Sequence, residues 1–146
     1  MADRHAELDL GIIFLRFLAV KNKVRESPRI RTVPVDCPPG SPPFLNSVAE
    51  FEIDTVVFPP LHLLATLQDF EIERGRSPLR EINSPRPLDM DIIYYGVEQF
   101  DQMGLIIPHP RAHLRRFVLE PLSHLRPDLV LPGQTKTVRE LLAGLR

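Results

Sequence analysis

Cysteine is nearly absent from this chain. Cys37 is the only one, so no internal disulfide forms and no cysteine-built metal site is available; a reducing, cytoplasmic setting is the expectation. Lysine is almost as scarce, with Lys21, Lys23 and Lys136 set against 15 arginines. No run approaches the roughly 18 apolar residues of a membrane-spanning helix, and the apolar stretch 10–20 is broken by Arg16. That stretch has no basic lead-in and no small-residue cleavage site, so it does not read as a signal peptide. Positive charge is not in excess either: the net charge is −1, which argues against a nucleic-acid binder held by a basic surface. There is no His/Cys cluster with zinc spacing, no glycine-rich phosphate loop and no Gly-x-Ser-x-Gly elbow. Zinc hydrolases, Walker-type kinases and serine esterases are thereby removed.

What the chain does have is proline. Sixteen prolines and seven glycines in 146 residues still fall short of the roughly 25–30% that marks low-complexity disorder. With 43% hydrophobic and 25% charged residues, the composition is that of one globular domain, 1–146, long enough to bury a core. Its loops are expected to be stiff. The arginine bias has two readings, genome composition or phosphate binding, since the planar guanidinium grips phosphate at two points.

The periodicity predicts a helix over 3–21, with Leu8, Ile12, Leu15 and Ala19 on one stripe and Asp3 as N-cap. A short strand follows at 30–35, then a loop at 36–43 whose four prolines exclude regular structure. Residues 44–57 read as a strand. Pro59 and Pro60 open a helix in the favoured first turn, carrying Leu61, Leu64, Leu67 and Phe70 and stopping near Gly75. An arginine-bearing loop spans 76–87. The clearest strand is 88–95, with 104–107 as its expected partner, and helices close the chain at 111–124 and 137–145. Hairpins mixed with helices indicate an α+β fold, with helices packed on a mostly antiparallel sheet.

The sharpest chemical signal is Pro85-Arg86-Pro87-Leu88-Asp89-Met90-Asp91-Ile92-Ile93. In a strand Asp89 and Asp91 share a face, about 6.5–7 Å apart, while Leu88, Met90 and Ile92 turn to the core. Two carboxylates side by side repel; a hard cation such as Mg²⁺, completing its shell with water and phosphate oxygens, removes the conflict. The competing reading has both facing solvent with one capping a turn. Arg74, Arg76, Arg80, Arg86, Arg111, Arg115 and Arg116 surround the segment; phosphoryl transfer needs such cations to hold phosphates in line and neutralise developing charge. Each taken singly also reads as a solvated surface residue. His109 is pinned between Pro108 and Pro110, fit to donate to a phosphate or to be a structural histidine.

The run Ser84-Pro85-Arg86-Pro87-Leu88-Asp89-Met90-Asp91-Ile92-Ile93-Tyr94-Tyr95-Gly96, preceded by Gly75-Arg76, resembles the signature of the 6-hydroxymethyl-7,8-dihydropterin pyrophosphokinase family. Ile107-Pro108-His109-Pro110-Arg111 and Phe117-Val118-Leu119-Glu120-Pro121-Leu122 resemble it too, as do Arg31-Thr32-Val33-Pro34-Val35 and Phe44-Leu45-Asn46-Ser47-Val48. The resemblance covers nearly the whole chain in the family's order. It implies a ferredoxin-like α+β fold and transfer of pyrophosphate from ATP to the pterin hydroxymethyl group, leaving AMP. It implies two Mg²⁺ ions on Asp89 and Asp91, with those residues, Arg76 and Arg86 catalytic. ATP contacts are implied for Gln68, Glu71, Arg76, Arg86, Ile92, His109 and Arg115. Phe44 and Phe117 would sandwich the pterin, Asn46 would read its polar edge, and Thr32, Val33, Val35 and Asn83 would line the pocket. Core packing is the alternative for the two phenylalanines. The implied partners are small molecules only, with no nucleic acid and no membrane, and a monomer or weak dimer is expected.

Three departures stand against the family pattern. Pro78 sits where a second loop arginine is frequent, with Arg80 nearby, and Asn83 stands where some members have tryptophan. Met1-Ala2-Asp3-Arg4 matches only the tail of the family's opening motif, so the expectation is that a central N-terminal strand is missing. A catalytically impaired relative, acting as a nucleotide- or pterin-binding or interaction module, is the alternative function. A third reading is another Mg²⁺-dependent transferase using Asp-x-Asp, which leaves 32–46 unexplained.

Overall fold

The computed structural model describes residues 4–32, 40, 43–75 and 88–145. It divides into two compact units. One comprises 1–24, 31–46 and 51–90; the other comprises 25–30, 47–50 and 91–146.

The first unit is built on two helices. α1 (Arg4–Leu18) buries Glu7, Gly11 and Leu15, residues four apart on one face, while Leu8 and Ile12 are half-buried beside them. The helix stops at Leu18, short of the predicted residue 21, because Ala19 turns extended (φ −76°, ψ 143°) ahead of a 3₁₀ turn at Val20–Asn22. The expected cap at Asp3 lies outside the described residues. α2 (Pro60–Glu73) starts at its proline as predicted, and Gly75 (φ 109°) follows its end. Its buried stripe is Leu63, Leu67 and Glu71, one step around from the predicted Leu64, Leu67 and Phe70. Phe14 of α1 and Phe70 of α2 stack at 4.0 Å between centroids. Arg74 pairs with Glu7 at 2.8 Å, tying the end of α2 to the start of α1.

Two short strands of this region, β2 (Ile30–Thr32) and β3 (Phe44–Asn46), pair with each other. The strand predicted for 44–57 is therefore interrupted. At the break the Val48 amide donates to Ser27 Oγ at 2.9 Å and Ser47 Oγ donates to Glu26 at 2.6 Å, and pairing ends at Glu50. Further on, Asp54 Oδ1 accepts from the Val56 and Val57 amides at 2.9 and 3.3 Å, an Asx turn.

In the second unit β1 (Arg25–Glu26) and β4 (Ala49–Glu50) run antiparallel, with Arg25 opposite Glu50. β5 (Phe100–Gln102) and β6 (Leu105–Ile107) form a hairpin closed by Met103 and Gly104 at φ 54° and 81°, both left-handed as a tight two-residue turn requires. α3 (Arg116–Leu125) and α4 (Val138–Ala143) complete the unit. A capping box starts α4: Thr137 Oγ1 accepts from the Glu140 amide, and Glu140 accepts from the Thr137 amide. The core gathers Leu119, Leu122 and Val138, with Ala112, Val118 and Leu131 as a second cluster; Tyr94 and Leu129 pack against both.

One prediction fails outright. Residues 88–95 form no strand, and β6 takes β5 as partner. The reason is local: a two-residue turn brings β5 and β6 together at small entropy cost, whereas polar groups of 88–95 find other partners. The Met90 amide donates to Glu71, and the Ile93 carbonyl accepts from the His109 amide. The predicted helix 111–124 begins late, after a single 3₁₀ turn (Ala112–Leu114) and an extended Arg115. The class is α+β, built from short two-stranded pairs and helices. No helix among the described residues is long and apolar enough to cross a membrane.

Candidate active site

In the first unit Leu88 is 5% exposed, and Asp89 beside it faces solvent while Met90 is half-buried. The alternation read from the sequence therefore holds at 88–90 without a strand ladder. Two contacts fix this stretch. A Cβ at Gly11 would stand 3.5 Å from both Leu88 Cδ2 and Met90 Cε, so α1 offers a glycine where the segment crosses it. On α2, Glu71 Oε2 accepts the Met90 amide at 3.1 Å. Gln68, three residues before Glu71, is exposed on the same helix.

The β2–β3 pair carries the other first-unit residues. Asn46 Nδ2 donates to Thr32 Oγ1 at 2.8 Å, so these two predicted pterin contacts meet each other. Phe44 is half-buried, and the Arg4 guanidinium lies 5.9 Å from its ring centroid.

In the second unit Asp91 is exposed and Ile92 half-buried. The His109 backbone is held by its bond to Ile93, at 2.8 Å, and its Nδ1 accepts from the Arg111 amide at 3.2 Å. That acceptor role leaves the ring proton on Nε2, which makes the neutral imidazole a donor on its other side. Burial pushes the His109 pKa down; Arg115 and Arg111 add to the effect and Asp91 opposes it. His109 is thus a neutral donor at pH 7, cradled beside cationic groups. Arg115 lies 5.3 Å from the Phe117 ring centroid, a cation–π contact, and Phe117 is 37% exposed at the start of α3.

Not every predicted arginine is placed for phosphate. Arg74 is engaged with Glu7, while Arg111 and Arg116 are exposed. Arg76, Arg80 and Arg86 lie outside the described residues, as do Val33, Val35, Pro78 and Asn83. Two features escaped sequence reasoning. The Arg4–Phe44 contact joins distant residues and left no local signal. The Glu71 clip did leave one, a carboxylate four and eight residues after Leu67 and Leu63 on an apolar stripe.

Among the described residues no cluster of three or more His, Cys, Asp or Glu side chains could hold a metal by itself. Asp89 and Asp91 offer oxygen donors only. That donor set suits Mg²⁺, which takes one or two carboxylates and draws its other ligands from water and phosphate.

Comparison with known proteins completes the description. Residues 1–127 match the family model of 7,8-dihydro-6-hydroxymethylpterin-pyrophosphokinase. The chain is 38% identical over 104 residues to the 2-amino-4-hydroxy-6-hydroxymethyldihydropteridine pyrophosphokinase of Synechocystis sp., covering 71% of this chain and 51% of that protein. It is 41% identical over 108 residues to the enzyme of the same name from Pseudomonas aeruginosa, covering 73% and 63% respectively. The folic acid synthesis protein fol1 of Pneumocystis carinii is 41% identical over 91 residues, 62% of this chain and 12% of its own length. The chain thus spans between about half and just under two thirds of the bacterial relatives it matches.

Proposed function

We propose a function from the premise that this chain belongs to the 7,8-dihydro-6-hydroxymethylpterin-pyrophosphokinase family. It transfers the pyrophosphoryl group of ATP to the hydroxymethyl oxygen of 6-hydroxymethyl-7,8-dihydropterin, in folate biosynthesis in the cytoplasm, on a ferredoxin-like α+β domain. The pterin oxygen forms a bond to the β-phosphorus, the bond from that phosphorus to the α-phosphate oxygen breaks, and AMP leaves. The hydroxyl proton passes to solvent.

The observation that carries this reading is the presentation of Asp89: exposed between an inward Leu88 and a half-buried Met90, within the segment that matches the family. Asp89 and Asp91 would hold two Mg²⁺ ions, which when bound supply charge neutralisation on the phosphates. His109 donates from Nε2 to a phosphate oxygen without adding a charge that would have to be desolvated. Arg115, with Arg76 and Arg86, counters charge as it shifts toward the leaving AMP. Gln68 and Ile92 complete the nucleotide set in this reading; Glu71, implied as a third contact, is 1% exposed and is left out of it. Phe44 and Phe117 stack on the pterin, each with an arginine at its ring, and Thr32, Val33, Val35, Asn46 and Asn83 line the substrate.

The test is release of AMP from ATP in the presence of the hydroxymethyl dihydropterin and Mg²⁺. Asp89→Ala and Asp91→Ala should each abolish metal-dependent turnover while far-UV circular dichroism stays unchanged. Normal turnover by either variant would overturn the metal assignment, and no pterin-dependent AMP from the wild type would overturn the activity.

A further inference from the structure

We propose that Glu71 is a positioning residue for Asp89, setting that carboxylate in place through the backbone rather than touching nucleotide. The inference rests on the reading of Asp89 as a magnesium ligand. Glu71 is 1% exposed, so a nucleotide cannot reach its carboxylate without displacing the packing of α2. Its Oε2 accepts the Met90 amide at 3.1 Å, which satisfies a backbone donor that would otherwise need another partner away from water.

That N–H belongs to the peptide plane joining Asp89 to Met90. Because the plane is rigid, directing the N–H toward α2 also directs the Asp89 carbonyl and restricts the rotation that swings the Asp89 side chain. The preceding residue is held independently, by burial of Leu88 against the glycine face of α1. Asp89 is therefore the exposed residue of a stretch anchored on both sides, one anchor apolar and one a hydrogen bond. No regular ladder does this work at 88–90; a single buried side chain does. A ligand held in place before the metal arrives spares the ordering cost at binding.

The test uses the whole chain with Glu71→Met and Glu71→Gln. Three quantities are read: exchange of the Met90 amide by NMR, Mn²⁺ affinity by electron paramagnetic resonance with a non-hydrolysable ATP analogue, and the ATP KM at saturating Mg²⁺. Glu71→Met is expected to speed Met90 exchange and to weaken Mn²⁺ about tenfold or more, the range seen when groups behind a metal ligand are removed. The ATP KM should change little. Glu71→Gln, whose carboxamide oxygen can still accept the amide, should keep Mn²⁺ affinity within about threefold and Met90 exchange near the wild-type rate. The proposal is overturned if Glu71→Met leaves Mn²⁺ affinity and Met90 exchange unchanged. It is overturned equally if the ATP KM rises tenfold while Mn²⁺ affinity holds, the signature of direct nucleotide contact. Should Glu71→Met be unfolded, Glu71→Ala, which leaves no acceptor beside Met90, decides: wild-type exchange at Met90 in that variant refutes the clip. A wild type that forms no AMP would sink the activity, while Mn²⁺ affinity and amide exchange still decide the role of Glu71.

Discussion

Gly11 offers a perturbation whose sign changes with the size of the side chain introduced. The residue is buried in α1, and a Cβ there would lie 3.5 Å from Leu88 Cδ2, 3.5 Å from Met90 Cε and 3.7 Å from Leu88 Cδ1. These are ordinary van der Waals distances, so alanine fits without displacement. Gly11→Ala gains about 1 kcal/mol of helix propensity, and burial of the new methyl adds up to about 0.8 kcal/mol. The expected result is 1–2 kcal/mol of added stability, each kcal/mol raising the melting temperature by about 2–4 °C at this chain length. Gly11→Val is the opposite case. Its γ-carbons extend about 1.5 Å further into contacts that alanine already fills, and overpacking of that kind costs about 1–3 kcal/mol. It also pushes Leu88, and with it Asp89. Urea unfolding followed by circular dichroism measures both variants. Gly11→Ala less stable than the wild type, or Gly11→Val as stable as Gly11→Ala, would refute the packing argument. On the proposed function Gly11→Ala keeps turnover and Gly11→Val loses it.

Two further outcomes are expected. His109 has its pKa lowered by burial, which together with Arg115 and Arg111 outweighs the opposing pull of Asp91, so below its ordinary value near 6.5 the unfolded chain takes up a proton before the folded one does. Stability therefore falls as pH drops from 7 toward the folded value, and with metal absent His109→Gln should lose less urea resistance between pH 7 and pH 5; parallel losses would count against it. Tyr94 donates a short hydrogen bond to Glu50, whose carboxylate also takes Arg126 Nε at 2.8 Å. Burial pushes the Glu50 carboxyl up, but the bonds from Arg126 and Tyr94 outweigh it and hold it below the usual range. Tyr94→Phe removes one bond to a partly solvated charge, an expected cost of about 1–2 kcal/mol. The difference from the wild type should shrink as pH falls through the folded pKa of Glu50, and a constant difference down to pH 3 would refute the assignment.

What could be read from the sequence was mainly what depends on neighbours along the chain. The inward Leu88, outward Asp89 pattern follows from a period of two and held without a strand. The start of α2 at Pro60 and its stop near Gly75 follow from backbone chemistry that no tertiary contact overrides. What failed depended on choices between distant partners. Residues 104–107 were expected to pair with 88–95, and the partner they take, Phe100-Asp101-Gln102, with its exposed polar residues, carried too little apolar signal to announce itself. On α2 the predicted stripe was one step off because Glu71, a charged residue, occupies a core position. The strand predicted for 44–57 broke at Ser47 and Val48, which bond Glu26 and Ser27 side chains, a competition between side-chain and backbone groups that hydrophobic patterning cannot register. At the site, the burial that keeps His109 neutral came from packing that no local pattern announces, and the Arg4–Phe44 contact required two segments 40 residues apart to meet.

The bond between Asn46 and Thr32 bears on ligand selection. An asparagine amide can usually turn over and present either end, which makes it tolerant of ligands with inverted donor and acceptor patterns. Here Thr32 Oγ1 takes an N–H of Nδ2, so the carbonyl oxygen faces the opposite side. On the proposed function, a ring edge that brings N–H groups meets a waiting acceptor; one that brings lone pairs requires the amide to flip and the Thr32 hydroxyl, which donates as readily as it accepts, to turn with it. The preference between such edges is then set by a coupled turn of two side chains on β2 and β3 rather than by either alone, and part of the ordering of that pair belongs to folding rather than to recognition.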